Sequence, residues 1–302
     1  MTYEDLIFDL IKKDDRFIIM TSENRSAMRN ITSKIKNNFI DVGIAEQTLI
    51  GMSAGLALRG RIPIVHALAT FLTMRAFEFI RTDIGIANLS VKIVGAVPGF
   101  LSDANGPTHQ AIEDVSIMRG IPNVNVFCPA DEDDMLQCLP AIFADISPFY
   151  IRYNNTKPLI EHSNYEIGKA EVFGEGRDVA ILVYGFLFSE AFKAKKILES
   201  KGITVRLINI RTPKPVDETA VLKAINECKL VVTLEDHFIT GGLFSILAEI
   251  LLRNKKTANV LPFALMNKWF KPALLNDVLE YEGFTAEKIS LAISNRLIAD
   301  SQ

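Results

Sequence analysis

The most informative stretch of the sequence runs Asp41-Val-Gly-Ile-Ala-Glu46-Gln-Thr-Leu-Ile-Gly-Met-Ser-Ala-Gly-Leu-Ala-Leu58. No charged side chain follows Glu46 until Arg59. The pattern predicts a helix over 45–58 with no polar face, expected to be buried on all sides. Its small residues, Gly51, Ser53, Ala54, Gly55 and Ala57, let neighbouring backbones come close. Glu46 then stands at the mouth of that helix. A lone carboxyl group there is either a first-turn glutamate favoured by the helix dipole, worth a few tenths to about 1 kcal/mol, or a group that exchanges protons. Spacing leaves both open.

A second segment reads Asn105-Gly-Pro-Thr-His109-Gln-Ala-Ile-Glu-Asp-Val. A Gly-Pro turn delivers a Thr-His pair to the start of a predicted helix. Histidine there can exchange protons near neutral pH; it can equally cap the helix. Loops that leave the carboxyl ends of strands in an open α/β sheet are where ligands sit.

The elements that must position these residues alternate along the chain. Arg16–Thr21, Ile62–Ala67, Ser90–Ala96, Asn123–Cys128 and Pro148–Tyr153 read as buried strands. Ala45–Leu58, Thr70–Ala87, Gln110–Arg119 and Glu132–Asp145 read as the helices between them. A polar stretch near residues 155 to 175 is fit for a linker. Beyond it, Val179–Tyr184, Thr204–Ile208 and Leu230–Glu235 read as strands, and Ser189–Ser200, Asp217–Glu227 and Gly242–Leu252 as helices. The expectation is an α/β protein of two domains, each a mostly parallel sheet with helices on both faces.

Bulk properties agree. A chain of 302 residues exceeds what one core usually serves. A net charge of -3 points to no nucleic-acid or anionic-membrane partner. Cys128, Cys138 and Cys228 are widely spaced, form no metal-ligand cluster and fit a reducing compartment. With no targeting segment and no run long enough to span a bilayer, the expected location is cytoplasmic, with no membrane partner.

Several motifs fall together in one order: Gly43-Ile-Ala-Glu-Gln, Thr70-Phe-Leu, Gly106-Pro-Thr-His-Gln, Met118-Arg-Gly-Ile-Pro and Cys128-Pro-Ala-Asp. In this the chain resembles the transketolase family, over a pyrimidine-binding domain at residues 1–160 and, less specifically, its C-terminal domain at 175–302, with 161–174 as linker. Linked motifs in order are a strong signal where one alone is weak.

The resemblance implies thiamine diphosphate as cofactor and ketol transfer between phosphorylated sugars. Glu46 matches the glutamate that hydrogen-bonds the thiamine aminopyrimidine; a carboxyl group in an apolar setting shares a proton readily. Phe71 matches the aromatic residue that stacks on that ring, and Glu23 loosely matches an aspartate near the cofactor. His109 matches the histidine that contacts substrate hydroxyls. Arg152 matches an arginine that grips the substrate phosphate, a task suited to its fixed charge and forked geometry. Two positions depart from the pattern. Met74 stands nearest to where a further aromatic is usual beside the cofactor, and Asn105 stands where an aspartate usually reads a sugar hydroxyl. Asparagine donates as well as accepts, which puts the identity of the sugar in question.

The family's diphosphate-binding signature, Gly-Asp-Gly followed by Asn-Asn, does not occur; Asn37-Asn38 and Asn154-Asn155 lack its context. The expectation is therefore a partner, an N-terminal transketolase subunit that supplies the diphosphate site and the Mg2+ ligands, in an α2β2 heterotetramer. Rival readings are the beta subunit of a thiamine-dependent 2-oxoacid dehydrogenase, deoxyxylulose-phosphate synthase chemistry, and a non-catalytic scaffold of the same fold. In the second domain, Glu235-Asp-His237 and Gly241-Gly242 read as a packing and turn device more than an anion site. His66 and His162 default to structure or surface.

Overall fold

Uninterrupted apolar runs make the central strands. Phe17–Thr21 and Val179–Val183 are buried at every position, as strands covered by helices on both faces must be. The computed structural model describes residues 1–102 and 104–300. The first sheet contains β1 (Phe17–Thr21), β2 (Phe39–Asp41), β3 (Ile62–Leu68), β4 (Lys92–Ala96), β5 (Asn125–Phe127) and β6 (Phe149–Arg152), in the order β2-β1-β3-β4-β6-β5. Every pairing in it is parallel. The second contains β7 (Glu171–Phe173), β8 (Val179–Val183), β9 (Val205–Asn209), β10 (Leu230–Phe238) and β11 (Val260–Leu265), in the order β11-β10-β8-β9-β7. Only β7 runs antiparallel there, against β9. The expected two-sheet α/β architecture is what the chain adopts.

Helices α1 (Tyr3–Lys13), α2 (Glu46–Leu58), α3 (Phe77–Phe79), α4 (Asp114–Arg119) and α5 (Glu132–Ala144) belong with the first sheet. Helices α6 (Phe188–Ser200), α7 (Glu218–Glu227), α8 (Leu243–Arg253), α9 (Leu275–Glu282) and α10 (Ala286–Ala299) belong with the second. No helix among the described residues is long and apolar enough to cross a membrane.

Three expectations need correction. The helix predicted over 70–87 is broken: Phe71–Arg75 and Ile80–Ile86 are π-helical, and only α3 between them is α-helical. Extra residues wound into a helix are frequent beside functional sites. The helix predicted from Gln110 starts only at Asp114, so His109 sits in a turn. Finally, α2 is not covered on all sides. Met52 and Leu58 are 41% and 70% exposed, and a Cβ on Gly51 or Gly55 would meet open space. The helix therefore carries apolar surface that the described residues leave uncovered.

The stretch expected as a linker is anchored. His162 is buried, within 2.9 Å of Asp131 and 2.8 Å of Glu171. Arg211 lies 2.7 Å from Asp134 and 3.1 Å from Glu171. Asp131 also caps α5, so one buried ionic cluster joins α5, the 161–174 segment and β7. Asp134, His162 and Glu171 stand close enough together to share a metal ion, and in this structure Arg211 pairs with both carboxylates.

Candidate functional site

Loops from the carboxyl ends of β1, β2, β3 and β4 meet in a cleft of about 710 Å³. The strand order places β1 beside both β2 and β3, the kind of junction where ligands bind in open α/β sheets. Ser22–Ser26 and Arg29 come from the first loop, Ile44 and Glu46 from the second, Phe71 follows β3, and Val97, Ser102 and Asn105 follow β4. Four residues singled out from the sequence, Glu23, Glu46, Phe71 and Asn105, therefore share one wall-to-wall space.

Glu46 is 6% exposed in the first turn of α2. The approach to the helix is fixed by Ser22, whose Oγ donates to Gly43 O at 2.7 Å and accepts from Ala45 N at 2.9 Å. Facing Glu46 is a residue that the sequence reading did not select. Arg75 lays its guanidinium 3.6 Å from the centroid of the Phe71 ring and 3.5 Å from Glu46 Oε1. Gln47 holds the same residue by its backbone, donating to Arg75 O at 3.1 Å. The signal for Arg75 was available: it lies one helical turn after Phe71, within reach of the same ring.

His109 meets Phe71 edge to face, centroids 5.3 Å apart, and its Nδ1 pairs with Thr108 Oγ1 at 2.9 Å. Asn105 is exposed in the cleft and donates to Ser102 Oγ at 3.2 Å. Met74 is 41% exposed and does not line the cleft; its sulfur accepts from Thr70 Oγ1 at 3.6 Å. Around the rim the backbone is held in the left-handed region at Glu23 (φ 58°), Val97 (φ 47°) and Ala104 (φ 60°). For a β-branched residue such as Val97 that is an outlier, and such outliers cluster where ligands bind.

Arg152 does not fit the phosphate role. It is 2% exposed, with Nε and Nη2 on Asp114 at 2.8 and 2.7 Å, Nη1 on Asp236 Oδ1 at 2.6 Å and a further bond to Ala111 O. Two buried carboxylates and a carbonyl leave its fork no open face. Two cations line the cleft, Arg25 and Arg29, and Arg29 is exposed and without an ion pair to a described residue. Its neighbour Arg25 is already paired with Asp41.

Other histidines and the second-domain motif are structural. His66 is buried and bonded to Tyr3 Oη at 2.7 Å, and burial lowers its pKa to about 4. The N-terminus of α8 is filled from within: Glu235 accepts from Leu243 N at 2.6 Å and Phe244 N at 2.9 Å. Burial nonetheless pushes the Glu235 carboxyl up to about 8.

Comparison with known proteins accounts for both sheets. Residues 1–158 match the model of the transketolase pyrimidine-binding domain, and residues 168–289 that of the transketolase C-terminal domain. The 6-deoxy-6-sulfo-D-fructose transketolase subunit SqwH of Clostridium sp. is 38% identical, over 84% of this chain and 80% of its own. A putative transketolase C-terminal section of Methanocaldococcus jannaschii is 30% identical over 98% of this chain and 95% of its own. A solved split-gene transketolase, described as an inactive β4 tetramer, superposes with a TM-score of 0.85 at 30% identity, covering 98% of this chain and 96% of that one. The chain belongs to the transketolase family.

Proposed function

We propose that the chain is the C-terminal subunit of a two-subunit transketolase, which moves a two-carbon ketol unit between sugars carrying a terminal anion. The observation that carries this reading is the pair of Glu46 and Phe71 in the cleft, with Arg75 set against both. A flat cation stacked on Phe71 and facing a buried carboxylate occupies the setting that the thiamine aminopyrimidine would need. The residues therefore fit the cofactor, which when bound supplies the nucleophilic carbon for ketol transfer.

The chain's own residues do the rest. Phe71 offers the stacking face, and Glu46 holds or releases a proton at a ring nitrogen. Glu23 closes the β1 side. Asn105 and His109 orient the sugar hydroxyls, and His109 exchanges a proton with them. Arg29 takes the terminal anion. Phosphate is the expected group; a sulfonate has the same charge-seeking oxygens, and one relative is named for a sulfo-sugar.

A partner subunit would bring the diphosphate site and the Mg2+ ligands. Support comes from the bare face of α2, from relatives that are themselves named as subunits, and from the relative described as inactive in a β-only tetramer. The reading implies an α2β2 assembly. The test is reconstitution: this chain alone is expected to bind thiamine diphosphate weakly and to transfer no ketol unit, and addition of the partner with Mg2+ to restore both. Full turnover by the chain alone would overturn the two-subunit reading.

A further inference from the structure

The residues that line the cleft all lie between 22 and 105. The segment that carries Asn105 and His109 nevertheless takes much of its support from the second sheet's domain. Phe100 is buried against Phe270 and Phe284, ring centroids 5.2 and 5.5 Å away. Ile112 lies in the same core and accepts from Phe238 N at 3.1 Å. Between those anchors, Ala104 N donates to Ala273 O at 3.1 Å. A Cβ on Gly106 would stand 2.5 Å from Pro272 Cγ, and one on Gly99 only 1.6 Å from Asp236 Oδ2. Both glycines have positive φ, +73° and +56°, and the left-handed Val97 and Ala104 lie among them. Strained backbone of this kind persists only where the surroundings impose it.

We propose that the C-terminal domain positions the sugar-binding segment, with Asp236 and Pro272 as the residues that set it. Asp236 presses on Gly99 at one end and, through Arg152, fixes Asp114 at the other. Pro272 seats the Gly106 turn, one residue after Asn105 and three before His109. Neither touches the sugar; both act through the residues they hold. The proposal rests on the reading that Asn105 and His109 meet the substrate.

The test uses the full chain with Asp236→Asn, which keeps the shape and removes the charge, and with Pro272→Ala on an exposed site that cannot unfold the core. Amide hydrogen exchange of residues 99–112 needs no turnover and reports the segment directly. Exchange there is expected to rise about tenfold or more in Asp236→Asn, the loss of one charge-assisted hydrogen bond, and a few-fold in Pro272→Ala. In the assembled complex the apparent KM for the sugar should rise by a similar factor and kcat/KM fall at least as far, because His109 moves with the segment, while thiazolium proton exchange stays within about twofold. Unchanged exchange of 99–112 in Pro272→Ala, or a kcat loss without a KM change, would overturn the proposal. If Asp236→Asn loosens the whole second domain, Pro272→Ala decides. A wild-type complex that transfers no ketol unit would remove the functional reading, and the exchange data would still judge the positioning.

Discussion

Arg75 and Glu46 face each other beside one aromatic ring, the guanidinium 3.6 Å from the Phe71 centroid and 3.5 Å from the glutamate oxygen. Both side chains proposed to hold a planar cofactor ring are thus engaged by a side chain that is about half exposed. An ion pair so open to water is worth about 0–1 kcal/mol. Arg75→Ala is therefore expected to tighten thiamine diphosphate binding by up to about fivefold, read by titration calorimetry on the assembled complex. Weaker binding would mean that Arg75 holds the cofactor instead of competing with it.

Glu46→Gln tests the proton. Glutamine keeps the shape and can still meet a ring nitrogen, but it cannot exchange a proton. Assembly should survive, and deuterium exchange at the thiazolium carbon should slow by about a hundred to ten thousand-fold, the range of general acid–base catalysis. Normal exchange in a well-assembled variant would reduce Glu46 to a first-turn glutamate worth at most about 1 kcal/mol of stability.

The two arginines are expected to separate cleanly. Arg29→Ala should raise the apparent KM for phosphorylated sugars by about ten- to a few hundred-fold and leave unphosphorylated ones nearly unchanged, the value of a charge-assisted contact. Arg152→Ala should affect both substrate types alike and lower stability by about 3–5 kcal/mol, because Asp114 and Asp236 are left buried without their cation. Steady-state kinetics and urea unfolding decide; a phosphate-selective loss in Arg152→Ala would return it to the substrate site.

The His162 cluster makes stability depend on pH. Burial opposes its charge, but Asp131 and Glu171 outweigh that and raise its pKa to about 10. Its contribution is complete below the unfolded value near 6.5 and is lost as pH rises through about 10. Burial would raise Glu171, yet bonds from His162 and Ser163 bring it down to about 2, so its contribution fades only in acid. Arg211 and Asp134 complete the cluster. His162→Gln should cost about 3–5 kcal/mol near pH 6 and progressively less towards pH 10. Urea unfolding at the two ends measures this; a gap that stays constant would show that the charge plays no part.

The sequence made some of this legible for a plain reason. Apolar runs and helix periods are local, so β1, β3, β4 and β8 and the helix after Glu46 could be read directly. Glu23, Glu46, Phe71 and Asn105 share a cleft because each follows a strand's carboxyl end, and that too is a local pattern. What failed was long-range. Arg152 looked free because its partners lie 38 and 84 residues away. His162 looked like linker because the carboxylates that bury it come from α5 and β7. The π-helical turns around Phe71 escaped because the periodicity of 70–87 resembles an ordinary helix.

Phe100 and Ile112 bear on inheritance as well as geometry. Their side chains are lodged in the second domain's core, although the chain meets them before the first domain ends. A recombination joint in the polar stretch near residue 160 would look harmless on paper, since it falls between two domains. It would also divorce the segment proposed to meet the substrate from the core that grips it. Chimaeras meant to trade sugar preference among relatives are therefore expected to work only when residues 97–112 and the C-terminal domain come from the same parent.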